Sequence, residues 1–320
     1  MPDMSMPARS QESFHGVDGD ATMSALAERY LDLMKHCLTR SHFDAAYRRY
    51  RELQRPDGRI RRLVYPLVHK VLARRNLALV RPVPFDAAKR ADGQEWPPPR
   101  EAETMIGLRG LDNIQHCIAD VLRRSVPGDL IETGVWRGGA VIFMRAVLEA
   151  YGDRARLVWA ADSFRGLPRP DADRYPADAG DRHWAMSDLV SGLDEVKQNF
   201  ARYGLLDDRV RFLEGWFRDT LPQAPIEALA LLRLDGDMYE STMDGLTHLY
   251  PKLSPGGYVI VDDYGGVPGC RAAVDDYRTR HHITEPMHKA NWEAVYWQKR
   301  GDETLRRWAS RGSENSTHAA

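Results

Sequence analysis

Three aspartates carry the most specific chemistry available to this chain. Asp235 and the adjacent pair Asp262 and Asp263 stand 27 and 28 residues apart. That is the length of one strand-helix-strand unit, so a parallel sheet would bring them to neighbouring strand ends. Carboxylates gathered there repel one another. Either they retain protons or a hard divalent cation neutralises them, and an all-oxygen ligand set suits Mg2+ or a similar ion. The same acids could instead pair with arginines such as Arg233 or Arg271 in structural salt bridges. Asp237 and Glu240, just beyond Asp235, could serve in an outer shell or at the N-terminus of the following helix. One of His281, His282 and His288, near the last helix, is kept as a candidate base beside Asp235.

A second constellation begins at Glu132 and runs Thr133-Gly134-Val135-Trp136-Arg137-Gly138-Gly139, an E-x-G-x-x-x-G-G turn between an apolar run and a helix-like segment. Glycines there let the backbone approach a ligand. Asp162 follows 30 residues after Glu132, at the end of the next apolar run, where a carboxylate can accept from both hydroxyls of a ribose. The pair suggests an adenosine-containing cofactor. A dinucleotide turn would want a second glycine where Trp136 stands, so the cofactor should lack a pyrophosphate. Trp216 and Phe217, after a third run, place rings beside the same crevice; either ring could stack on a purine or simply fill core.

The elements that must position these groups are short apolar runs: DLIETG (129–134), LVWAADSF (157–164), VRFLEG (210–215), ALALLRLDGD (228–237) and YVIVDDY (258–264). They read as buried parallel strands, with helix-like crossovers over 140–151, 188–203 and 238–253 between them. The result is a doubly wound α/β sheet whose ligand site lies at the carboxyl ends of the strands. GCRAAVDDYRTR adds a last helix and AVYWQ (294–298) a closing strand. Before the sheet, residues 25–50 repeat apolar positions at helical spacing. The basic stretch from Gly58 to Phe85 reads as a helix with a solvated basic face, packed against its own domain or a second subunit, with a membrane surface or an acidic partner as the alternative. EWPPPRE (95–101) marks a boundary. The expected organisation is a disordered tail over 1–22, a helical lid or oligomerisation section over 23–95, a catalytic domain over 96–300 and a flexible tail over 301–320.

Forty-five basic and 46 acidic residues leave a formal charge of -1, without the basic excess a nucleic-acid surface needs. Cys37, Cys117 and Cys270 lack the paired spacings of zinc sites or disulfide frameworks and fit a reducing cytoplasm. No apolar run has the length of a signal core or a bilayer span, so a cytoplasmic protein without a membrane partner is expected. The Asn315-Ser316-Thr317 triplet matches a glycosylation pattern but sits in a polar tail.

The motifs YLDLMKHCLT, ETMIGLRGLDNIQ, LIETGVWRGGA, DSFRGLP, EGWFRDTLP, LRLDGDMYEST, LSPGGYVIVDDYG, GCRAAVDDYR and AVYW, in that order over residues 28–298, resemble the macrocin O-methyltransferase family. Its members are metal-dependent methyltransferases acting on deoxysugars of macrolide and aminocoumarin antibiotics. The resemblance implies a class I methyltransferase fold, a Rossmann-like, mostly parallel sheet with an N-terminal helical extension. It further implies S-adenosylmethionine held around Thr104, Met105, Glu132, Gly134, Asp162, Ser163, Gly215 and Trp216. A divalent metal such as Mg2+ would sit at Asp235, Asp262 and Asp263, with Asp235 as the proton acceptor. The expected partners are a sugar or glycoside acceptor and a second copy of the chain. The segment 169–186, which covers cofactor and substrate in relatives, departs from the pattern. Three alternatives stay open: a catechol-type methyltransferase on an aromatic diol, a nicotinamide oxidoreductase lacking its pyrophosphate turn, and a non-catalytic assembly subunit of the same fold.

Overall fold

A computed structural model of the chain describes residues 19–42, 46–49, 59–77, 80–83, 86–95, 98–99 and 101–301. Most of the two expected tails, including the Asn315 triplet, lies outside these residues, as do parts of EWPPPRE. The chain opens with α1 (Gly19–Thr39), β1 (Ala46–Arg49), α2 (Arg59–Arg74), β2 (Val80–Val83) and α3 (Ala87–Ala91). The sheet section follows as α4 (Gly107–Arg123), β3 (Asp129–Thr133), α5 (Gly139–Ala150), β4 (Val158–Asp162), α6 (Leu193–Arg202), β5 (Val210–Glu214), α7 (Phe217–Thr220), β6 (Leu229–Leu234), α8 (Tyr239–Leu249), β7 (Leu253–Val261), α9 (Pro268–Arg280), β8 (His288–Lys289) and β9 (Val295–Gln298).

Seven strands form one sheet in the order β5-β4-β3-β6-β7-β9-β8. β3 pairs in parallel with both β4 and β6, β6 with β7, and β9 returns antiparallel to β7. From β3 the chain builds outward to β5, then crosses back to β6, so the crevice opens at the carboxyl ends of β3 and β6. Strand residues alternate between two cores, one on each face. Leu130, Leu231 and Ile260 face the cluster that contains residues of α1, α4, α5 and α6. Their neighbours Ile131, Leu232 and Val261 face the cluster built with α8 and α9. This is the doubly wound α/β arrangement expected from the strand runs.

The N-terminal section departs from the sequence reading in three ways. α1 starts at Gly19, inside the stretch expected to be tail, and buries Leu31, Met34 and Leu38 in the first core. It ends eleven residues earlier than the apolar spacing predicts, at Thr39 rather than Tyr50. Arg40 adopts a left-handed backbone (φ 55°), and the Ser41 amide reaches back to the His36 carbonyl at 3.2 Å, a cap that stops the helix. Ala46–Arg49 then pairs antiparallel with Val80–Val83, so part of the helix expected over 25–50 is strand. Short aromatic spacing does not separate the two. Finally, Val64, Leu67 and Val71 of α2 are 49%, 66% and 49% exposed, so these apolar side chains are not buried on the catalytic sheet. No helix among the described residues is long and apolar enough to cross a membrane.

Candidate functional site

The glycine turn after β3 is pinned from both sides. Gly134 (φ 81°) donates its amide to the Ala161 carbonyl at 2.8 Å, and Gly138 (φ 88°) caps α5 in the left-handed region that favours glycine. Between them Trp136 takes φ 46°, held by its indole N–H donating to the Asp188 carbonyl at 2.8 Å. Asp162, at the end of β4, latches two loops at once. Its Oδ2 accepts from the Val135 amide at 2.8 Å and its Oδ1 from the Phe164 amide at 2.7 Å. Burial pushes this carboxyl up, while those backbone donors pull it back toward the charged form. The Ser163 hydroxyl donates to the Gly166 carbonyl at 2.6 Å, closing the DSFRG turn.

Across the crevice, one ligand atom each from Asp235, Asp262 and Asp263 lies within 4.8 Å of the others. Arg233, two residues before Asp235 on β6, enters this group from below. Its guanidinium donates to Glu132 Oε1 at 2.5 Å, Asp235 Oδ2 at 2.7 Å and Asp262 Oδ1 at 2.5 Å. Both Arg233 and Glu132 are 1% exposed. The salt-bridge alternative is therefore realised for Asp235 and Asp262, though not through Arg271, which donates to the Tyr264 and Gly265 carbonyls. Among the described residues Asp263 has no arginine partner; its Oδ2 accepts from the Asp237 amide at 3.0 Å.

One guanidinium cannot balance this many carboxylates. Burial pushes the Glu132 carboxyl up to about 8, with the Arg233 charge opposing, and Asp262 up to about 7. Burial and the neighbouring Asp237 and Asp235 charges push Asp263 up as well. Glu132 Oε2 is buried with no hydrogen-bond partner. All donors are oxygens and all the excess charge is negative, so the set fits a hard divalent cation.

The glycine turn and the acids line one cavity of about 510 Å3. Met105, Gly134, Asp162, Ser163, Gly215 and Trp216 line it together with Asp235, Asp262 and Asp263. Two expected cofactor residues do not. Glu132 lies beneath the crevice as the partner of Arg233, because it precedes the turn and points into the sheet. Thr104 is 6% exposed, packed with Glu103 against Gly139 at the start of α5. None of His281, His282 and His288 reaches the cavity; all three are exposed, the first two at the end of α9 and the third on the edge strand β8.

The lining also contains groups that the sequence reading missed. His183 and Asp181 come from the segment 169–186, with the His183 ring nitrogen Nδ1 2.7 Å from Asp181 Oδ2. Burial lowers the affinity of His183 for a proton, but the Asp237 charge and the Asp181 hydrogen bond raise it further, and the net direction is up. Asp178 ties the same segment to the start of α8, accepting from the Tyr239 amide at 2.6 Å and the Glu240 amide at 3.0 Å. Of the two acids the sequence set beside Asp235, Asp237 lines the cavity, and burial pushes it up to about 7. Glu240 instead pairs with Arg218 at 3.2 Å. Glu293, pushed up to about 9 by burial and the nearby aspartates, also faces the cavity. It precedes β9, and only the antiparallel return of that strand brings it to the carboxyl edge of β7.

Comparison with known proteins places this geometry. The family model of macrocin O-methyltransferase (TylF) matches residues 27–299. The chain is 55% identical over 214 residues to 8-demethyl-8-(2,3-dimethoxy-alpha-L-rhamnosyl)-tetracenomycin-C 4'-O-methyltransferase of Streptomyces olivaceus, covering 67% of this chain and 81% of that protein. It is 51% identical over 224 residues to mycinamicin III 3''-O-methyltransferase of Micromonospora griseorubida, covering 69% and 87%. The solved structure of the O-methyltransferase NovP superposes with a TM-score of 0.72 at 43% identity, covering 86% of this chain and 100% of that one. With a family match over most of its length and a shared class I sheet, the chain belongs to the macrocin O-methyltransferase (TylF) family of S-adenosylmethionine-dependent O-methyltransferases.

Proposed function

We propose that the protein methylates a hydroxyl of a sugar or glycosylated natural product, assisted by a divalent cation such as Mg2+ held by Asp235, Asp262 and Asp263. The observation that carries the reading is the placement of these three carboxylates on the same cavity as Gly134, Asp162 and Trp216. The names of the relatives support the acceptor class, since one specifies 4'-O-methylation of a rhamnosyl-tetracenomycin and the other 3''-O-methylation of mycinamicin III.

When bound, S-adenosylmethionine supplies an activated methyl group and the cation supplies polarisation of the acceptor hydroxyl. The chain's own groups do the rest. Asp162 lines the cavity, where its carboxylate can accept from ribose hydroxyls, while Gly134 keeps the turn open for the cofactor. Trp216 offers its ring to the purine. Asp235, 26% exposed and the most open of the three acids, takes the hydroxyl proton as methyl transfer proceeds. Alignment of the two reactants in one enclosed cavity contributes the remaining rate. Free thiols at Cys37, Cys117 and Cys270 support a cytoplasmic setting.

Product mass spectrometry on a panel of glycosides and catechols, with and without chelator, tests this reading. A methylated glycoside, formed only with metal, is the expected result, with Asp235→Asn slowed by orders of magnitude while still binding metal. Methylated catechol alone would assign the aromatic diol as acceptor. Full turnover in chelator, with Asp262→Ala and Asp263→Ala unimpaired, would return the acids to a structural role.

A further inference from the structure

We propose that Arg233 and the Asp237 backbone amide set the cation selectivity of the acidic cluster by occupying one oxygen of each carboxylate, so that it takes a small octahedral ion such as Mg2+ or Mn2+ in preference to Ca2+. The inference rests on the reading of Asp235, Asp262 and Asp263 as a cation site. It goes beyond that reading by assigning the choice of ion to residues that are not ligands.

The count of engaged oxygens carries the argument. Arg233 donates to Asp235 Oδ2 at 2.7 Å and to Asp262 Oδ1 at 2.5 Å, and the Asp237 amide donates to Asp263 Oδ2 at 3.0 Å. Each of the three carboxylates therefore has one oxygen committed to the protein and one uncommitted. A guanidinium touching an oxygen also repels a cation from it, so Asp235 and Asp262 can offer a metal a single oxygen each.

Neither donor can easily turn away. Arg233 is 1% exposed and its fork is held from the adjacent strand by Glu132, also 1% exposed. Glu132 and Arg233 are register partners on β3 and β6, so their side chains emerge side by side from the sheet. Arg233 and Asp235 are two residues apart and share a face of the strand path. The Asp237 amide is fixed by a left-handed backbone (φ 56°) ahead of α8.

Ca2+ is satisfied by many oxygens, commonly through bidentate carboxylates, whereas Mg2+ accepts few protein oxygens in an octahedron and keeps water in the rest. With Asp235 and Asp262 limited to one oxygen each by the guanidinium, and one oxygen of Asp263 partly engaged by the amide, about three octahedral positions are left for water or acceptor oxygens. To bind bidentately, Asp235 and Asp262 would have to release Arg233, whose guanidinium is 1% exposed and has Glu132 as its only other carboxylate partner among the described residues.

The full-length protein with S-adenosylhomocysteine, titrated calorimetrically with MgCl2, MnCl2 and CaCl2, tests the proposal. Electron paramagnetic resonance on the Mn2+-loaded protein then counts bound waters. Ca2+ is expected to bind at least about tenfold more weakly than Mg2+, and Mn2+ to retain about three waters. In Glu132→Gln/Arg233→Met, which removes both buried charges together, the preference for Mg2+ should fall by about tenfold and the water count should drop as the carboxylates turn bidentate. A wild-type protein that binds none of the ions overturns the underlying cation-site reading. A protein that binds them without preference, or a double variant that keeps the preference, overturns the role of Arg233 alone. Should the double variant fail to fold in a thermal melt, the wild-type ion order and water count decide the matter by themselves.

Discussion

Gly134 and Asp235 are packed back to back: a Cβ built on Gly134 would fall inside the carbonyl oxygen of Asp235, whose own amide donates to the Thr133 carbonyl at 2.9 Å. The first glycine of the cofactor turn and the acid at the end of β6 are thus one rigid unit. Gly134→Ala combines this overlap with a strained φ of 81°. It should cost roughly 1–3 kcal/mol of stability and weaken cofactor and cation binding together. Thermal denaturation and calorimetry with S-adenosylhomocysteine check this. Wild-type melting with wild-type affinity would show that the two backbones move independently.

Asp162 offers a finer test of the cofactor assignment. Because its two oxygens already hold the Val135 and Phe164 amides, Asp162→Ala unlatches both loops as well as removing the ribose acceptor. A loss of roughly 1–3 kcal/mol in cofactor affinity is expected, accompanied by a lower melting temperature. Asp162→Asn keeps one acceptor oxygen and should lie between the two. Unchanged affinity in a folded alanine variant would remove Asp162 from the cofactor site.

These two residues also show what could be read without a structure. Strands buried on both faces announce themselves as apolar runs, and a parallel sheet must gather their ends, so Gly134, Asp162, Asp235, Asp262 and Asp263 follow from pattern alone. Glu132 did not, because its side chain faces inward to Arg233, a partner 101 residues away that no local spacing reveals. Glu293 required the antiparallel direction of β9, and His183 required the path of a segment without periodicity. The strand β1 was hidden because its partner β2 lies beyond an intervening helix.

His183 yields a prediction in pH. Its folded value lies above that of a free imidazole: burial works against the proton, but the Asp237 charge and the Asp181 bond outweigh it. A raised folded value means that protonated His183 contributes stability fully below the ordinary histidine range and loses it as pH rises through the folded value. Asp181→Asn should shift the His183 titration downward and narrow the stability gained on the acid side of that window. The ring proton shift of His183, followed by nuclear magnetic resonance across neutral pH, reports this directly. A titration unmoved by the substitution would assign the effect to Asp237 alone.

The N-terminal section yields the last prediction, through a chain of contacts that ends at the cofactor turn. α1 buries Leu31, Met34 and Leu38 in the core shared with α4 and α5, and the Leu38 carbonyl accepts from the Glu103 amide at 2.9 Å. Arg40, just past the helix, donates to Glu103 Oε1 at 2.8 Å, while Tyr203 donates to Oε2 at 3.0 Å. The Glu103 carbonyl in turn accepts from the Gly139 amide at 2.9 Å, where α5 leaves the glycine turn. Gly93, Gln94 and Glu95, also from this section, line the cavity itself. We therefore propose that residues 23–95 complete the site. Removing residues 1–18, before α1, should leave turnover intact, whereas removing 1–90 should abolish it by exposing the core that α1 covers. Leu38→Ala is the graded version: a fully buried leucine at the end of the helix should cost roughly 2–5 kcal/mol. Arg40→Ala separates packing from positioning, because it releases Glu103 while leaving the apolar contacts in place. It is expected to lower cofactor affinity more than stability, as read by calorimetry against thermal melting. Full activity in the protein lacking residues 1–90 would show that the sheet and its own helices suffice, and that this section serves some purpose other than building the site.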